Sequence, residues 1–401
     1  MQQTHSRFDA LEAIHLTEIQ GDPQFRSWLE RIIEDKVREE LARERDRVFR
    51  ESFAIVPVRP QCKLSAAIAT YLGKSLVKQE IIVFGDGEKK TVIHENLRGK
   101  NVYVIASVGD GEDPDVSLAN TCKIVSALRR TCKVAQINVV APCLWYQAQD
   151  KTHARREPIS VRDVADDLIR RGMNHIIVVE LHAEQIEIAF DSFDHLKMAP
   201  LFADYLSRRF HDHVDNIVLI APDDGGVRTR EELHKNMNPD LLAGQASVHQ
   251  LRKRGSIDEK EILDFVGEVK GKVAIIYDDM MRSGTTMFQA AAAAKQDGAS
   301  KVIGVVAHFY GFDSPTQGTF EERLRKSALD ELIASNTRPD LAQRVIASSV
   351  LRSKVTVLDI SRYIAQAIRN YQTGGTVKDM ISRLPDRREF YSAIHEAGGA
   401  G

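Results

Sequence analysis

The chain has 401 residues, 43% hydrophobic and 28% charged, with 55 Lys and Arg against 57 Asp and Glu. That is globular material long enough for two domains plus extras, and its balanced charge gives no global field for nucleic acid or an anionic membrane. Four cysteines without a CxxC pair, no apolar signal core, and no stretch near the roughly 20 apolar residues of a membrane span together predict a soluble, cytoplasmic protein.

Residues 1–52 are rich in charge, and WLERIIEDKVREELARERDRVF places Leu29, Ile32, Ile33, Val37 and Leu41 at helical spacing. The segment reads as a charged helical extension, either an arm packed on its own domain or a helix for a partner.

From residue 53 to about 375, apolar strand-like runs alternate with helical patterns: FAIVPV, NVYVIAS, AQINVVAP, HIIVVEL, NIVLIAP, KVAIIYDD, KVIGVVAH and KVTVLDI. Such alternation predicts an α/β fold with central parallel sheets. NVYVIASVGDGEDPD and KVAIIYDDMMRSGTT both run from strand through an acidic, Gly-containing loop to helix, which suggests two related halves, 53–199 and 200–375. The remainder, 376–401, ends in AGGAG and reads as a frayed tail.

Parallel sheets place their ligands beyond the carboxyl ends of the strands, so the residues ending each apolar run carry the functional signal. HIIVVELHA leaves its strand at His182, whose imidazole has the donor atoms for a metal. NIVLIAPDDGG ends in Asp223 and Asp224 before two glycines, an acidic turn suited to hydrated Mg2+. VAIIYDDMMRSGTT places Asp278 and Asp279 beyond the strand, ahead of Arg282, Ser283, Gly284, Thr285 and Thr286 and an Ala-rich helix that stops at Gly298. A small, hydroxyl-bearing loop entering a helix is a phosphate cradle, and the acids before it suit vicinal sugar hydroxyls or Mg2+. A phosphorylated sugar satisfies both ends.

With FGDGEKKTVIHENLRGKNVYVIAS (84–107), YQAQDKTHARREPIS (146–160), ELHAEQIEIAFD, APDDGGVRTR, YDDMMRSGTT and VTVLDISRYIAQAI in collinear order, the chain resembles the ribose-phosphate pyrophosphokinases over roughly residues 53–375. The resemblance implies two phosphoribosyltransferase-like halves and transfer of the ATP β,γ-pyrophosphate to the C1 hydroxyl of ribose 5-phosphate, with Mg2+ as cofactor. It gives Phe84, Asp86, Gly87 and Glu88 to ATP bound by a neighbouring subunit, hence a homo-oligomer with a shared ATP site. Gln149, Asp150 and Lys151 fall on the ATP side, and His182 and Asp223 at the Mg2+ positions. Asp278 and Asp279 would hold the ribose, Arg282 to Thr286 the 5-phosphate. The family's catalytic loop aligns with Arg252, Lys253 and Arg254. ATP and ribose 5-phosphate are the implied partners, with no nucleic acid and no membrane.

Three positions depart from the family. Ala148 stands where an Arg precedes the Gln-Asp pair, Arg252 aligns with the catalytic Lys, and Arg282 replaces an Asp after the acid pair. Arg and Lys are not equivalent, because a planar fork and a compact ammonium reach different oxygens. A cation at 282 either strengthens phosphate binding or accommodates a more highly charged 5-substituent, as in ADP-ribose. A catalytically silent regulatory paralogue is the other alternative. The segment GFDSPTQGTFEERLRKSALDEL (311–332) also departs from the family, as an entrance cover or a surface decoration.

Overall fold

The computed structural model describes residues 23–109, 111–152, 154–252, 260–377, 380 and 387–397. By chain contacts they form two units, one ending at Ser52 and one beginning at Phe53. The described residues of the first form helix α1 (Pro23–Glu51). Its straight-chain Glu, Arg and Lys favour a helix, and ion pairs such as Arg47 with Glu44 and Glu51 lie along its surface. Val37, Leu41 and Val48 are each about half exposed, at 50%, 54% and 54%.

Among the described residues the second unit contains two large sheets and a separate two-stranded hairpin. The first is built from β1 (Phe53–Pro57), α2 (Lys63–Tyr71), the hairpin β2 (Gln79–Val83) and β3 (Lys89–Ile93), β4 (Asn101–Ile105), α3 (Pro114–Ala127), β5 (Gln136–Ala141), α4 (Ser160–Arg171), β6 (His175–Val179) and β7 (Phe193–Leu196). Its strand order is β1-β4-β5-β6-β7, with every pair parallel and the hairpin standing apart. The runs Ile176–Val179 and Val102–Ile105 are buried without alternation, as expected where helices cover both faces. Asp113 caps α3 by accepting the backbone N–H of Asp115 at 2.8 Å, and Gly172, at φ +105, ends α4.

The second sheet follows from α5 (Ala199–Arg209), β8 (Ile217–Ala221), α6 (Val227–Asn236), β9 (Leu242–Arg252), β10 (Lys260–Val266), β11 (Val273–Met281), α7 (Thr285–Gln296), β12 (Lys301–Phe309), α8 (Phe320–Lys326), β13 (Glu331–Ser335), α9 (Leu341–Ala347), α10 (Ser349–Lys354), β14 (Val355–Asp359), α11 (Ser361–Gln372) and β15 (Ser392–His395). Its order is β10-β9-β8-β11-β12-β13-β14-β15, parallel in the centre and antiparallel at both edges. The fold is therefore α/β with two central parallel sheets.

Two helices bind the sheets to each other. Helix α11 packs on α2; its Tyr371 stacks on His175 at 4.0 Å, and its Gln372 accepts a hydrogen bond from the Tyr103 hydroxyl at 2.9 Å. Helix α5, which follows β7 in sequence, sends Arg209 to Glu331 of β13 in a two-pronged ion pair at 2.6 and 2.8 Å.

Three expectations need correction. The acids at 278 and 279 lie within β11, which runs to Met281, because the strand stays paired to β12 through Met281 and Phe309. The described part of the tail is not frayed: Phe390 is buried, the Tyr391 hydroxyl donates to Asp204 at 2.7 Å, and Ser392–His395 extend the second sheet. The segment 311–332 is not a surface decoration. Thr319 and Glu322 form a capping box for α8, and Phe320, Leu324 and Leu329 enter the core of the second sheet.

Candidate functional site

The carboxyl ends of the two parallel sheets meet at a seam, and the polar residues that end the apolar strands face each other across it. β6 leads into Glu180, a non-glycine residue at φ +40, and the chain then turns to present His182. Such a backbone persists only where the surroundings impose it. Here the Glu180 carboxylate accepts the backbone N–H of Met198 at 2.6 Å, and its carbonyl bonds the His308 imidazole at 3.0 Å.

His182 Nδ1 lies 2.9 Å from Asp279 Oδ2, so β6 of the first sheet and β11 of the second are joined by an imidazole–carboxylate pair. Burial works against ionisation of Asp279, but the hydrogen bond and charge of His182, the hydrogen bond from Asp278 and the charge of His308 together outweigh it and hold the carboxyl below its usual range. The His182–Asp279 bond also raises His182. Asp278 behaves oppositely: burial, then repulsion from Asp279 and also from Asp223, holds its carboxyl well above the usual range. The acids and His182 therefore share one electrostatic site, which resists two neighbouring negative charges until a cation or a hydrogen-bond donor arrives.

Immediately after β11 the chain makes the small loop. Ser283 Oγ and Thr285 Oγ1 lie 3.1 Å apart, and helix α7 begins at Thr285. A helix start leaves its first-turn N–H groups without intrahelical partners, with the positive end of the dipole behind them. Gly284 sits at φ +83, where a Cβ would stand 2.7 Å from Met281 Cε and 2.8 Å from the Phe288 ring. A larger residue would strain the backbone at that φ and displace the Met281 and Phe288 side chains.

The other predicted residues fall in three places. Gln149 accepts the Ser160 hydroxyl at 2.6 Å and Asp150 accepts Gln185 Nε2 at 2.5 Å, while the charges of Asp150 and Lys151 are both felt at His182. Phe84, Asp86, Gly87 and Glu88 form the exposed tip of the β2–β3 hairpin, held by Phe84 N–H to Glu88 O at 2.8 Å and Glu88 N–H to Asp86 at 3.0 Å. No hydrogen bond or ion pair among the described residues joins this tip to the His182–Asp279 pair. Arg252 ends β9, and Lys253 and Arg254 lie outside the described residues.

Several residues at the seam were not singled out from the sequence. The Cys143 thiol lies 3.2 Å from the Tyr310 hydroxyl; burial pushes the thiol up, but His308, the Tyr310 hydroxyl and the charge of Arg338 together bring it down to about 7. Arg323 donates to the carbonyls of Ser283 at 2.6 Å and Phe312 at 2.7 Å, bracing the loop before α7. His308 ends an apolar run as His182 does, a signal readable in KVIGVVAH; Cys143 and Arg323 carry no comparable sign.

Glu180 allows a pH prediction. Burial pushes its carboxyl up to about 7 from an ordinary 4.5. A raised acid is protonated in the fold where the unfolded chain is already ionised, so stability declines as pH rises from 4.5 through 7. Glu180→Gln, which stays neutral, is expected to gain about 2 kcal/mol more over the wild type at pH 8 than at pH 5. Thermal unfolding at the two pH values tests this; an equal difference at both would refute it.

Among the described residues no three His, Cys, Asp or Glu side chains converge as a ready-made metal cage. Mg2+ does not require one, because it binds through one or two protein groups with substrate phosphates and water, and carboxylates such as Asp223 suit that mode. Among the described residues no helix is long and apolar enough to cross a membrane.

Two family models match the chain: the N-terminal domain of ribose phosphate pyrophosphokinase over residues 53–172, and the phosphoribosyl synthetase-associated domain over 231–381. Similar proteins include the ribose-phosphate pyrophosphokinase of Aquifex aeolicus, 32% identical over 80% of this chain and 96% of that one. That of Hyphomonas neptunium is 34% identical over 81% of this chain and 96% of its own. Among solved structures, phosphoribosylpyrophosphate synthetase from Mycobacterium smegmatis aligns with a TM-score of 0.69 at 28% identity, covering 81% of this chain and all of that one.

Proposed function

This chain belongs to the ribose-phosphate pyrophosphokinase family, and we propose that it transfers the β,γ-pyrophosphate of ATP to the C1 hydroxyl of ribose 5-phosphate, releasing AMP. The observation that carries this reading is the His182–Asp279 pair, which puts the ends of both sheets beside one phosphate-type loop. A sugar phosphate laid there has its hydroxyls at Asp278 and Asp279 and its 5-phosphate over Ser283, Gly284, Thr285 and Thr286, with Arg282 alongside.

In pyrophosphoryl transfer the protein does little covalent work; it aligns the attacking hydroxyl and neutralises charge on the phosphate oxygens. His182 and Asp223 would hold Mg2+, which when bound supplies part of that neutralisation. Arg252, Lys253 and Arg254 would supply the rest, and Gln149, Asp150 and Lys151 would orient the ATP chain. The hairpin tip with Phe84, Asp86, Gly87 and Glu88 is exposed, as a segment serving the ATP site of a neighbouring copy must be; this supports a homo-oligomer. We place the activity in the cytoplasm, where both substrates occur.

Full-length protein with ATP, Mg2+ and ribose 5-phosphate is expected to release AMP and form phosphoribosyl pyrophosphate. Lys253→Ala should lower kcat by about 10²- to 10³-fold, as expected when a transition-state charge loses its partner. A variant with unchanged kcat would remove the loop from the chemistry, and absence of AMP with every pentose phosphate would overturn the reading.

A further inference from the structure

Three successive residues leading to His182 each have a backbone group held by a side chain from elsewhere in the fold. The Glu180 carbonyl bonds the buried His308 imidazole of β12 at 3.0 Å, the Leu181 N–H donates to His195 Nε2 of β7 at 3.1 Å, and the His182 N–H donates to Gln147 Oε1 at 3.2 Å. His308 and His195 stand on strands, whose places the sheets fix. Gln147 lies instead in the loop after β5, two residues before Gln149 and three before Asp150.

The Gln147 side chain is used at both ends. It is 2% exposed, and while Oε1 takes the His182 N–H, Nε2 donates to Cys143 Sγ at 3.7 Å. The backbone flanking this link is constrained on both sides: Tyr146 stands at φ +56 and Glu180 at φ +40, two of five non-glycine residues at positive φ among the described residues. A bulky residue keeps such a backbone only where its neighbours impose it. The Tyr146 hydroxyl donates to Asp115, and the Tyr146 carbonyl accepts the Gln149 N–H at 2.8 Å. The turn thus buries Gln147 against the His182 backbone and returns the chain to the surface at Gln149. Gln185 Nε2, donating to Asp150 at 2.5 Å, joins the same loop to the segment after His182.

We infer that Gln147 is a positioning residue for the transfer: it fixes the His182 backbone to the loop that carries Gln149, Asp150 and Lys151, so that the imidazole and the groups orienting ATP keep one spacing. The inference rests on the pyrophosphokinase reading and adds a residue to it. His182 is held by its side chain at Asp279 and by its backbone at Gln147. Without the second contact a buried N–H loses its acceptor and the turn shifts to find another. A shift of about an ångström in a reacting group is enough to lower a rate by up to about a hundredfold.

The test measures AMP release from ATP, Mg2+ and ribose 5-phosphate by the full-length wild type, Gln147→Met, His182→Ala and the double variant. Met has the length and bulk of Gln but offers the N–H no oxygen. Gln147→Met is expected to lower kcat by about tenfold or more, with KM for ribose 5-phosphate unchanged, because in the parent reading Asp278 and the 283–286 loop hold the acceptor. With His182→Ala already present no imidazole remains to be positioned, so the same substitution should lower kcat by less than about twofold. A merely structural role would give the same factor in both backgrounds. Gln147→Asn, which keeps the amide but draws it back by one carbon, should repeat the pattern and serves in place of the Met variant should that one unfold. An unchanged kcat, or an equal loss with and without the His182 imidazole, would overturn the inference and leave the parent reading standing. A wild type that releases no AMP with any pentose phosphate would overturn both.

Discussion

Asp279→Asn is expected to lower kcat for AMP release by about a hundredfold or more while the protein stays folded, because a reacting group displaced by an ångström loses that much. The carboxylate holds His182 by the 2.9 Å contact across the seam, and in the proposed function it also receives a sugar hydroxyl. An amide cannot stabilise the imidazolium, so His182 should titrate closer to its ordinary 6.5. Asp278, relieved of its charged neighbour, should ionise more easily. The paired state has a defined pH window. Asp279 is lowered, so its share is present above the ordinary 3.8 and is lost as pH falls through the lowered value. His182 is raised, so its share is complete below 6.5 and fades as pH climbs through the raised value. Steady-state kinetics with an NMR titration of His182 test the argument; an unaltered imidazole titration with unaltered kcat would refute it.

Arg323→Ala should cost about 2–4 kcal/mol of stability, because it strips two carbonyls of a charged donor. It should also raise the KM of the acceptor several-fold. Arg323 is 9% exposed, its guanidinium lies 5.9 Å from the Phe320 ring centroid, and among the described residues it alone joins Ser283 to Phe312 through a side chain. Lys at this position has one ammonium where two diverging bonds are needed, so Arg323→Lys should recover only part of the loss. Thermal unfolding and KM should move together; a stability loss with unchanged KM would mean that Arg323 supports the core and not the loop.

The sequence was legible where one strong signal sufficed. Eight uninterrupted apolar runs became β1, β4, β5, β6, β8, β11, β12 and β14, because strands buried on both faces need no partner pattern to be seen. Strands at the margins were harder to read. β9 begins LAGQAS, β7 is FDHL and β15 is SAIH; these short or polar stretches are held by neighbours distant in sequence. The same limit applies at the site. The segments ending in His182 and in Asp278 and Asp279 could be picked out one at a time, but Glu180 acquires its perturbed carboxyl only once Met198, Tyr277 and His308 enclose it. Arg323 sits in a stretch that resembled decoration because its partners, Ser283 and Phe312, are backbone carbonyls, which leave no trace in side-chain pattern.

The crossing of α5 and α11 means that neither half is a portable module. A fragment ending before Ala199 would expose to water the side of its sheet that carries Tyr103 and His175, and the complementary fragment would keep a helix with nothing to lie on. Gene fusions or transplants that respect the boundary between the sheets would therefore cut through a shared wall.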